Sequence, residues 1–427
     1  MGGEKYMKEP KLRFKADDGS DFPDWEEKSF VNTFDSLNNS TFSRDCLNYE
    51  NGSVKYIHYG DILVKYNSSV DVCDAIVPFV NEDLDCERFA ILQDGDILIA
   101  DTAEDDTVGK VIEIENTSNV KTIAGLHTIA CRPKEKFASK YLGYYMNSDE
   151  YHNQLRPYMQ GIKVTSISKS NIALTKIMVP SLPEQQKIAD FLSTIDTIIE
   201  KQRATVSAWE ERKKGVIQKL FSQEVRFKAD DGSDFPDWEE KKLEEVSNKI
   251  KVGFVGTCDC FYVEKHGVKL YRTGNLIDGK LVDTDMKYVT RQFHEKNKKS
   301  QLKKWDILIA RHGNSGHAVL YDSDEDANCL NIVIIQPNLD LVNPRFLTNN
   351  INSSVVEKQV YRLKGGSTQV VLNTTAIEKI KVSIPSLPEQ QKIADCLSAL
   401  DTVIQKQKET LEKWQELKKG LLQQMFV

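Results

Sequence analysis

Two segments of the chain share a hydrophobic pattern that predicts long helices. Seam positions recur at alternating steps of four and three residues, a heptad spacing that collects them on one helical face. The first set is Ile188, Leu192, Ile195, Ile199, Gln202, Val206, Trp209, Lys213, Val216 and Leu220. The second set is Ile393, Leu397, Leu400, Ile404, Gln407, Leu411, Trp414, Lys418, Leu421 and Met425. Each helix would be about 58 Å long at 1.5 Å per residue, and such a seam requires a partner helix.

Both helices are predicted to begin at the sequence PSLPEQQ. Ser181 with Glu184, and Ser386 with Glu389, match the capping-box spacing. In a capping box the hydroxyl and the carboxylate each satisfy a backbone N–H that the first helical turn leaves unpaired.

The lysines in the seam favour antiparallel pairing of the two helices. Parallel pairing in register would bring Lys213 against Lys418, and two like charges at close range in a partly dry interface are costly. Antiparallel pairing removes this clash and would place the two lysines near Cys396 and Phe191 respectively.

Two seam glutamines suggest the register of that pairing. Gln202 would lie opposite Gln407, and a facing polar pair penalises slipped registers. The alternative stays open that each helix packs only on its own domain.

The long helices are part of an internal duplication. The sequence RFKADDGSDFPDWEEK occurs without change at 13–28 and 226–241, and residues 179–221 match 384–426 at 26 of 43 positions. Repeated and divergent segments therefore alternate along the chain. The expected divisions are an N-terminal framework segment 1–28, a first variable domain 29–178, a central helical region 179–225, a repeated framework segment 226–241, a second variable domain 242–383 and a C-terminal helical region 384–427.

The two variable segments carry traces of a common fold. GDILIADT at 95–102 corresponds to WDILIARH at 305–312, and apolar strands such as VIEIE and NIVIIQ accompany helical stretches after Ala138 and Pro344. We expect an α+β protein in which two pseudo-two-fold-related mixed α/β domains are joined by two long antiparallel coiled-coil helices.

Composition is that of a globular protein. The 427 residues are 40% hydrophobic and 28% charged, with a formal net charge of −7. No apolar run approaches the roughly 18 residues that span a bilayer, and the first residues lack the apolar block of a signal peptide. These features predict a cytoplasmic protein without membrane association.

Motifs for catalysis are missing from the sequence. There is no phosphate-binding G-x-x-x-x-G-K-[ST] loop and no Asn-Pro-Pro-Tyr or Asp-Pro-Pro-Tyr run of adenine methyltransferases. Cys258 and Cys260 lack a second ligand pair, so a metal site is disfavoured. The PDWEEK acids are too close together for a nuclease site, and RHGNSGH at 311–317 is better explained as a glycine-containing turn.

The repeated segments PSLPEQQKIADFLSTIDTIIEKQ and DWEEKKLEEV resemble those of specificity subunits of type I restriction-modification systems. The resemblance covers nearly the whole chain, including the order of two target-recognition domains and two helical regions. It implies a non-catalytic, DNA-binding subunit of an endonuclease and DNA methylation complex. Each recognition domain would read one half of an asymmetric, bipartite double-stranded DNA target.

The resemblance also implies partners and cofactors. Two modification subunits that bind S-adenosylmethionine and methylate adenine would dock on the paired helices. Two restriction subunits that use ATP and Mg²⁺ can join such complexes. No cofactor or metal is expected on this chain itself.

Polar residues near strand ends are the candidate DNA-reading positions, because Arg and Lys suit guanine while Asn and Gln suit adenine. In the first domain they are Lys55, Tyr56, Tyr59, Lys65, Tyr66, Asn67, Gln160 and Lys163. In the second they are Arg272, Thr273, Asn275, Arg311, His312, Asn314, Ser315, Lys364, Ser367, Thr368 and Gln369. The tyrosines could equally belong to the core.

Charge is divided unevenly between the variable domains. Residues 242–383 have 21 basic and 16 acidic side chains, whereas residues 29–178 have 14 and 21. The net positive charge of the second domain therefore suits it better to contact DNA phosphates. A different function also stays open, in which the chain is a non-catalytic coiled-coil scaffold whose two divergent domains bind proteins or other ligands.

Overall fold

The computed structural model divides the chain into two compact units. Unit 1 comprises Met1–Arg203 with Glu409–Val427, and unit 2 comprises Ala204–Lys408. Each unit thus contains one variable domain together with part of each long helix. The residues that the structure describes are 9–161, 163–277, 279–311, 317–363 and 373–426.

The helices of both units are short except for the two that the heptad pattern predicts. The helices are α1 Phe30–Thr33, α2 Tyr59–Val64, α3 Tyr141–Tyr145, α4 Asp149–Leu155, α5 Lys169–Ile172, α6 Leu182–Phe221, α7 Arg291–Lys296, α8 Pro344–Ile351, α9 Ser354–Leu363, α10 Thr374–Glu378 and α11 Leu387–Met425.

The described part of unit 1 is organised around a five-stranded sheet of order β2-β11-β7-β9-β5 and a four-stranded sheet of order β10-β4-β6-β3. Two small ladders, β1-β13 and β12-β8, complete it. The strands are β1 Glu26–Ser29, β2 Phe34–Ser36, β3 Leu47–Asn48, β4 Val54–Ile57, β5 Ser69–Asp71, β6 Phe79–Val80, β7 Ile97–Ala100, β8 Thr102–Ala103, β9 Val111–Glu115, β10 Lys121–Ala124, β11 Thr128–Pro133, β12 Thr165–Ser166 and β13 Lys176–Val179.

The described part of unit 2 has two four-stranded sheets, β15-β24-β21-β22 and β16-β20-β17-β23, with the ladders β14-β25 and β18-β19. The strands are β14 Glu239–Lys242, β15 Ser247–Val252, β16 Tyr262–Val263, β17 Val268–Arg272, β18 Leu276–Ile277, β19 Lys280–Leu281, β20 Lys287–Val289, β21 Ile307–Ala310, β22 Ala318–Leu320, β23 Ala327–Leu330, β24 Ile332–Pro337 and β25 Lys381–Ile384.

The two domains repeat the same central pairing. In unit 1 the buried strand β7 lies between β11 and β9 and is antiparallel to both. In unit 2 the buried strand β21 lies in the same way between β24 and β22. The parallel pair β4-β10 likewise has its counterpart in β17-β23. These correspondences confirm the expected α+β class with two related domains.

Within each unit the segments of α6 and α11 pack antiparallel to each other. In unit 1 the N-terminal residues Ile188 and Leu192 of α6 share a buried cluster with Met425 and Phe426 at the end of α11. In unit 2 the C-terminal Leu220 and Phe221 of α6 share one with Ile393, Ala394 and Leu397 near the start of α11. The antiparallel orientation is therefore the predicted one.

The register of the helices differs from the prediction. Lys213 Nζ lies 2.6 Å from Asp401 Oδ1 in unit 2, and Lys418 Nζ lies 2.5 Å from Asp196 Oδ1 in unit 1. The lysines thus meet aspartates five residues beyond Cys396 and Phe191, which is more than one helical turn. A half-buried lysine attracts an opposite charge, and these two ion pairs favour a register other than the one predicted from Gln202 and Gln407.

The predicted capping boxes are also wrong. The Ser181 and Ser386 hydroxyls are buried and have no hydrogen-bond partner among the described residues. The carboxylate of Glu184, which is fully buried, accepts hydrogen bonds from Arg13 Nε at 3.0 Å and Arg13 Nη2 at 2.9 Å. A charge-assisted bidentate pair is stronger than a neutral cap, so the carboxylate turns to the arginine.

The unchanged sixteen-residue repeat makes this contact in both units. Arg226 contacts Glu389 at 3.1 and 2.8 Å, as Arg13 contacts Glu184. The tryptophan of each copy packs edge-on against a phenylalanine at a helix end, Trp25 on Phe426 and Trp238 on Phe221, both with ring centroids 6.3 Å apart. The following residues then pair with the strand that precedes the helix, β1 with β13 and β14 with β25. The repeat therefore ties a helix start, a helix end and a domain together within each unit.

Replacement of Arg13 tests this tie. In Arg13→Met, Glu184 would keep a buried charge without its cation, so we expect a loss of about 3 kcal/mol in the free energy of unfolding. Urea unfolding of the variant beside the wild type measures the difference.

The double variant Arg13→Met/Glu184→Gln should recover most of this loss, because it removes the buried charge as well. Lys214→Met, which breaks an exposed pair with Glu211 on α6, should leave the free energy of unfolding nearly unchanged, because solvent screens an exposed ion pair. Equal losses of unfolding free energy in Arg13→Met and Lys214→Met would contradict a stabilising role for the Arg13–Glu184 contact.

Candidate nucleic-acid interface

In unit 1 a group of polar side chains lies where the buried strand β7 ends. Asp101 directly follows β7, and its neighbour on the paired strand is His127, which precedes β11. Asp101 Oδ1 accepts a hydrogen bond from Thr102 Oγ1 at 2.7 Å and lies 3.2 Å from His127 Nδ1. The side chain of Asp101 is 27% exposed and that of His127 is 46% exposed. This group presents acceptors and donors at a strand end, as base reading requires.

Tyr59 joins this group from helix α2. Its ring lies edge-on against the ring of His127, with centroids 5.3 Å apart. The helix begins at Tyr59 because His58 Nδ1 accepts a hydrogen bond from the Gly60 N–H at 3.0 Å. Burial, with the charge of Arg44 as a second cause, lowers the pKa of His58 below its usual value. A neutral His58 is the state that can accept this bond.

The backbone at Gln160 and Ser166 lies beside the same group. The backbones of Gln160 and Ser166 exchange hydrogen bonds of 3.0 and 2.8 Å, and the next residue, Ile167, donates from its N–H to Asp101 O at 2.9 Å. Gly161 adopts φ +130°, and a Cβ there would meet Val164 O at 1.8 Å, so only glycine fits this turn. Gln160 and Lys163 are both exposed.

Two predicted readers of the first domain belong to the core instead. Tyr56 is fully buried, and its hydroxyl donates to Phe42 O at 2.6 Å while accepting from the Leu126 N–H at 2.7 Å. Tyr66 is 8% exposed, and burial raises the pKa of its hydroxyl well above the usual value. Neither side chain can reach a base in this conformation, because strand β4 and the end of α2 turn them inward.

The remaining predicted residues of the first domain are accessible but engaged within unit 1. Lys55 Nζ donates to Val72 O at 2.5 Å. Lys65 Nζ lies 3.1 Å from both Asp61 Oδ1 and the Tyr49 hydroxyl. Asn67 donates to Glu200 Oε1 on helix α6 at 3.4 Å. Their role in reading DNA stays a prediction.

In unit 2 the YRTGN segment is largely structural. Asn275 is 1% exposed and donates to Val282 O and Thr284 O, both at 3.0 Å, while it accepts from the Arg272 N–H at 2.9 Å. We therefore remove Asn275 from the candidate readers. The Arg272 guanidinium is 29% exposed and pairs with Asp285 at 2.8 Å, and Thr273 is half-buried.

Arg311 occupies the strand end of unit 2 that corresponds to Asp101. It follows β21 directly, is half-buried, and its Nε has no hydrogen-bond partner among the described residues. The other candidates of this domain lie outside the described residues, namely His312, Asn314, Ser315, Lys364, Ser367, Thr368 and Gln369.

Most of the predicted seam side chains are buried or half-buried. The buried ones are Ile188, Leu192, Ile195, Ile199, Val206, Ile393, Leu397 and Ile404. The half-buried ones are Gln202, Trp209, Leu400, Gln407, Leu411 and Trp414. In unit 1 Tyr144 of the variable domain contacts both members of the Asp196–Lys418 ion pair. Its hydroxyl donates to Asp196 at 2.8 Å, and Lys418 Nζ lies 5.5 Å from the centre of its ring.

Unit 1 also contains a cavity of about 730 Å³ beside the start of α6. Glu113 of strand β9 lines it, and its carboxylate, in a residue only 2% exposed, accepts from the Lys140 N–H at 2.7 Å and the Gly143 N–H at 3.1 Å. A Cβ on Gly143 would meet Ser68 O at 2.0 Å, so only a glycine at position 143 allows its backbone to come this close to Ser68. Burial raises the pKa of Glu113 to about 7.

Metal-binding clusters are not found in the described ranges, where no three His, Cys, Asp or Glu side chains converge. All eight cysteines are free, and Cys258 is buried while Cys260 is exposed. None of the helices in these ranges is both long and apolar enough to cross a membrane.

Comparison with known proteins identifies the family. The family model described as "Type I restriction modification DNA specificity domain" matches residues 23–206 and 236–413. Because these matches cover most of the chain, the protein belongs to the type I restriction-modification DNA specificity family. The resemblance noted in the repeated segments is thereby confirmed.

Individual relatives agree with this assignment. The chain is 28% identical to the type I restriction enzyme MjaVIII specificity subunit of Methanocaldococcus jannaschii, over 61% of this chain and 64% of that protein. It is 26% identical to the putative MjaX specificity subunit of the same organism, over 75% of each. These relatives are named as specificity subunits, a non-catalytic class, as the resemblance implied.

Two solved structures share the fold over almost the full chain. The type I restriction-modification S subunit from M. genitalium has a TM-score of 0.54 at 16% identity and covers 98% of this chain and 99% of its own. A chain from a study of complex assembly and conformational transition in the type I system has a TM-score of 0.58 at 16% identity, covering 95% and 98%. At this identity the likeness establishes the fold alone.

The raised pKa of Glu113 predicts a pH-dependent stability. The folded chain holds this proton more tightly than the unfolded chain, so the stabilisation is complete below about pH 4.5 and is lost as the pH rises through about 7. The contribution to the slope of unfolding free energy is at most about 1.4 kcal/mol per pH unit. Urea unfolding between pH 5 and 8 measures it.

Glu113→Gln should lower stability, because the Lys140 and Gly143 N–H groups bond different carboxylate oxygens and one of them would face the amide NH2, but it should flatten this part of the pH profile. A variant whose slope equals that of the wild type would assign the pH dependence to other groups.

Proposed function

We propose that this chain is the DNA-reading subunit of a type I restriction-modification complex, with each domain reading one half of a split, asymmetric target. The long helices dock two modification subunits that use S-adenosylmethionine to methylate adenine. Restriction subunits that use ATP and Mg²⁺ can join the same complex. The chain itself holds none of these cofactors.

One observation carries the proposal of two separate readers. The domains have the same central strands, β7 and β21, and the same tie to the helices through Arg13 and Arg226, yet the residues after the strands differ in chemistry. Two related frames that present different polar groups suit the reading of two different half-sites.

The extent of the helices supports the proposed spacing role. Each helix begins in one unit and ends in the other, since α6 runs from Leu182 to Phe221 and α11 from Leu387 to Met425 across the boundaries at 203 and 408. Helices of about 60 Å are stiff on the scale of a few base pairs. A fixed distance between readers would set the length of the unread spacer.

The acidity of the first domain is consistent with this function only if phosphate contacts come largely from elsewhere. Its net charge of −7 contrasts with +5 for the second domain. Base reading needs few well-placed groups, and modification subunits can supply contacts to the backbone. The same acidity favours the scaffold alternative, in which the first domain binds a protein or another ligand.

Selection from random DNA separates the two functions. The chain, purified with a modification subunit from the same cells, is mixed with a pool of random duplexes, and bound molecules are sequenced. The DNA-reading function predicts one enriched motif of two halves with a fixed gap, methylated when S-adenosylmethionine is added. Recovery of no split motif by an assembled complex would favour the scaffold.

Exchange of the first variable domain should alter one half-site only. Replacing residues 29–178 with the corresponding segment of another family member leaves the Arg13 tie and both helices intact. We expect a new first half-site, an unchanged second half-site and an unchanged spacer in the selection. The reciprocal exchange of 242–383 is the control, and changes in both halves after either exchange would contradict independent reading.

Lengthening both helices should alter the spacer only. One heptad is inserted between Asp196 and Lys213 in α6 and one between Asp401 and Lys418 in α11, which preserves the seam phase and both ion pairs. The added length is about 10 Å, or about three base-pair steps of 3.4 Å. We expect the same half-sites with a longer preferred gap. An altered half-site with the original gap would contradict the spacing role, and insertion into α6 alone serves as the mismatched control.

A further inference from the structure

Strands β7 and β21 have the same sequence and the same burial, but the residues that directly follow them have opposite charges. Both read Ile-Leu-Ile-Ala, and every residue of both is buried. The next residue is Asp101 in unit 1 and Arg311 in unit 2. The two strands thus deliver an acceptor and a donor to corresponding positions of two related domains.

A second residue stands beside each of these positions. The pairing of Ala100 with Thr128, and of Ala310 with Ile332, places His127 beside Asp101 and Asn331 beside Arg311. His127 has φ 54° and Asn331 has φ 56°, a left-handed conformation that is uncommon for residues other than glycine. Such conformations concentrate at functional sites, where a side chain must be presented at a set angle.

The positions just before the strands keep their chemistry in both units. Asp96 Oδ2 accepts from the Gln93 N–H at 2.8 Å, and Asp306 Oδ2 accepts from the Lys303 N–H at 2.8 Å. The turn that starts the strand is therefore built alike in both domains. The residue that follows the strand, in contrast, changes from an acid in unit 1 to a base in unit 2.

In unit 1 the carboxylate of Asp101 has unused acceptor capacity. Thr102 Oγ1 and His127 Nδ1 both contact Oδ1, whereas Oδ2 accepts no hydrogen bond from the residues that the structure describes. Thr102 and His127 hold the carboxylate in one orientation at a partly exposed strand end. An oriented carboxylate of this kind accepts from an exocyclic amino group of a base.

In unit 2 the guanidinium of Arg311 has unused donor capacity, since its buried Nε lacks a partner among the described residues. An unsatisfied buried donor costs free energy unless a ligand meets it. Arginine pairs through two parallel hydrogen bonds with O6 and N7 of guanine.

We propose that Asp101 with His127, and Arg311 with Asn331, are corresponding base-reading pairs of the two domains. Asp101 accepts a hydrogen bond from a base that presents an exocyclic amino group in the major groove, cytosine in the first place. Arg311 reads guanine in the other half-site. This inference rests on the proposed function and identifies the base chemistry at one position of each half-site.

The test uses the full complex of the chain with its modification subunit in the random-duplex selection. Asp101→Ala should relax one position of the first half-site about tenfold to a hundredfold, the discrimination of one good base contact, and leave the second half-site unchanged. Asp101→Asn keeps the shape and should move that position towards adenine, which an amide suits. Arg311→Gln should move one position of the second half-site from guanine to adenine.

Matched controls carry the same charge change at exposed positions of the same domains. Asp106→Asn in the first domain and Arg291→Gln in the second should leave every position of the motif unchanged. Thermal unfolding confirms that each variant is folded, and the nearly isosteric Asp101→Asn keeps the test valid if Asp101→Ala is unstable.

Failure of this inference can be told from failure of the proposed function. A wild-type complex that enriches no split motif overturns the function itself. A wild-type motif that Asp101 and Arg311 variants leave unchanged, or weaken equally at all positions, overturns only the reading pairs. An A·T pair instead of a C·G pair at the position that Asp101 controls would likewise overturn the assignment of cytosine.

Discussion

The attraction between a seam lysine and an aspartate of the opposite helix sets the register on which the rest of the structure depends. Lys213 meets Asp401 in unit 2, and Lys418 meets Asp196 in unit 1. A lysine that is only about one-fifth exposed needs an opposite charge, and each helix supplies it at the equivalent place. The same register brings Phe426 to Trp25 in unit 1 and places Phe221 beside Trp238 in unit 2.

The chain separates framework from presentation. Framework contacts recur in both units with the same residue types, such as the bidentate Arg13–Glu184 and Arg226–Glu389 pairs around buried carboxylates. The exposed or partly exposed residues that follow the strands differ between the units, as Asp101 and Arg311 do. This separation lets a domain change what it displays without disturbing its tie to the helices, because the buried charges and the displayed groups share no hydrogen bond in the described residues.

The structure places the predicted reading residues in different surroundings, and their role in reading DNA stays a prediction. Tyr59 lies against His127, the neighbour of Asp101, and the Gln160 backbone pairs with Ser166, whose neighbour Ile167 donates to Asp101 O, although these segments are separated in sequence. Tyr56 and Asn275 look like readers by residue type, but strand direction and local hydrogen bonds bury them. Asp101 lies in the motif GDILIADT at 95–102, and the corresponding motif WDILIARH at 305–312 has the opposite charge at that position.

The sequence by itself determined the duplication, the two long helices, their antiparallel sense and the family, because these features depend on periodicity and on local residue order. Only the tertiary structure decided the axial register, the use of Glu184 by Arg13 and the meeting of Asp101 with His127. A heptad pattern defines which face of a helix is apolar but not its offset along the partner, and Lys213 and Asp401 lie 188 residues apart. Choices of this kind are made by charge and packing between distant segments, which no local pattern records.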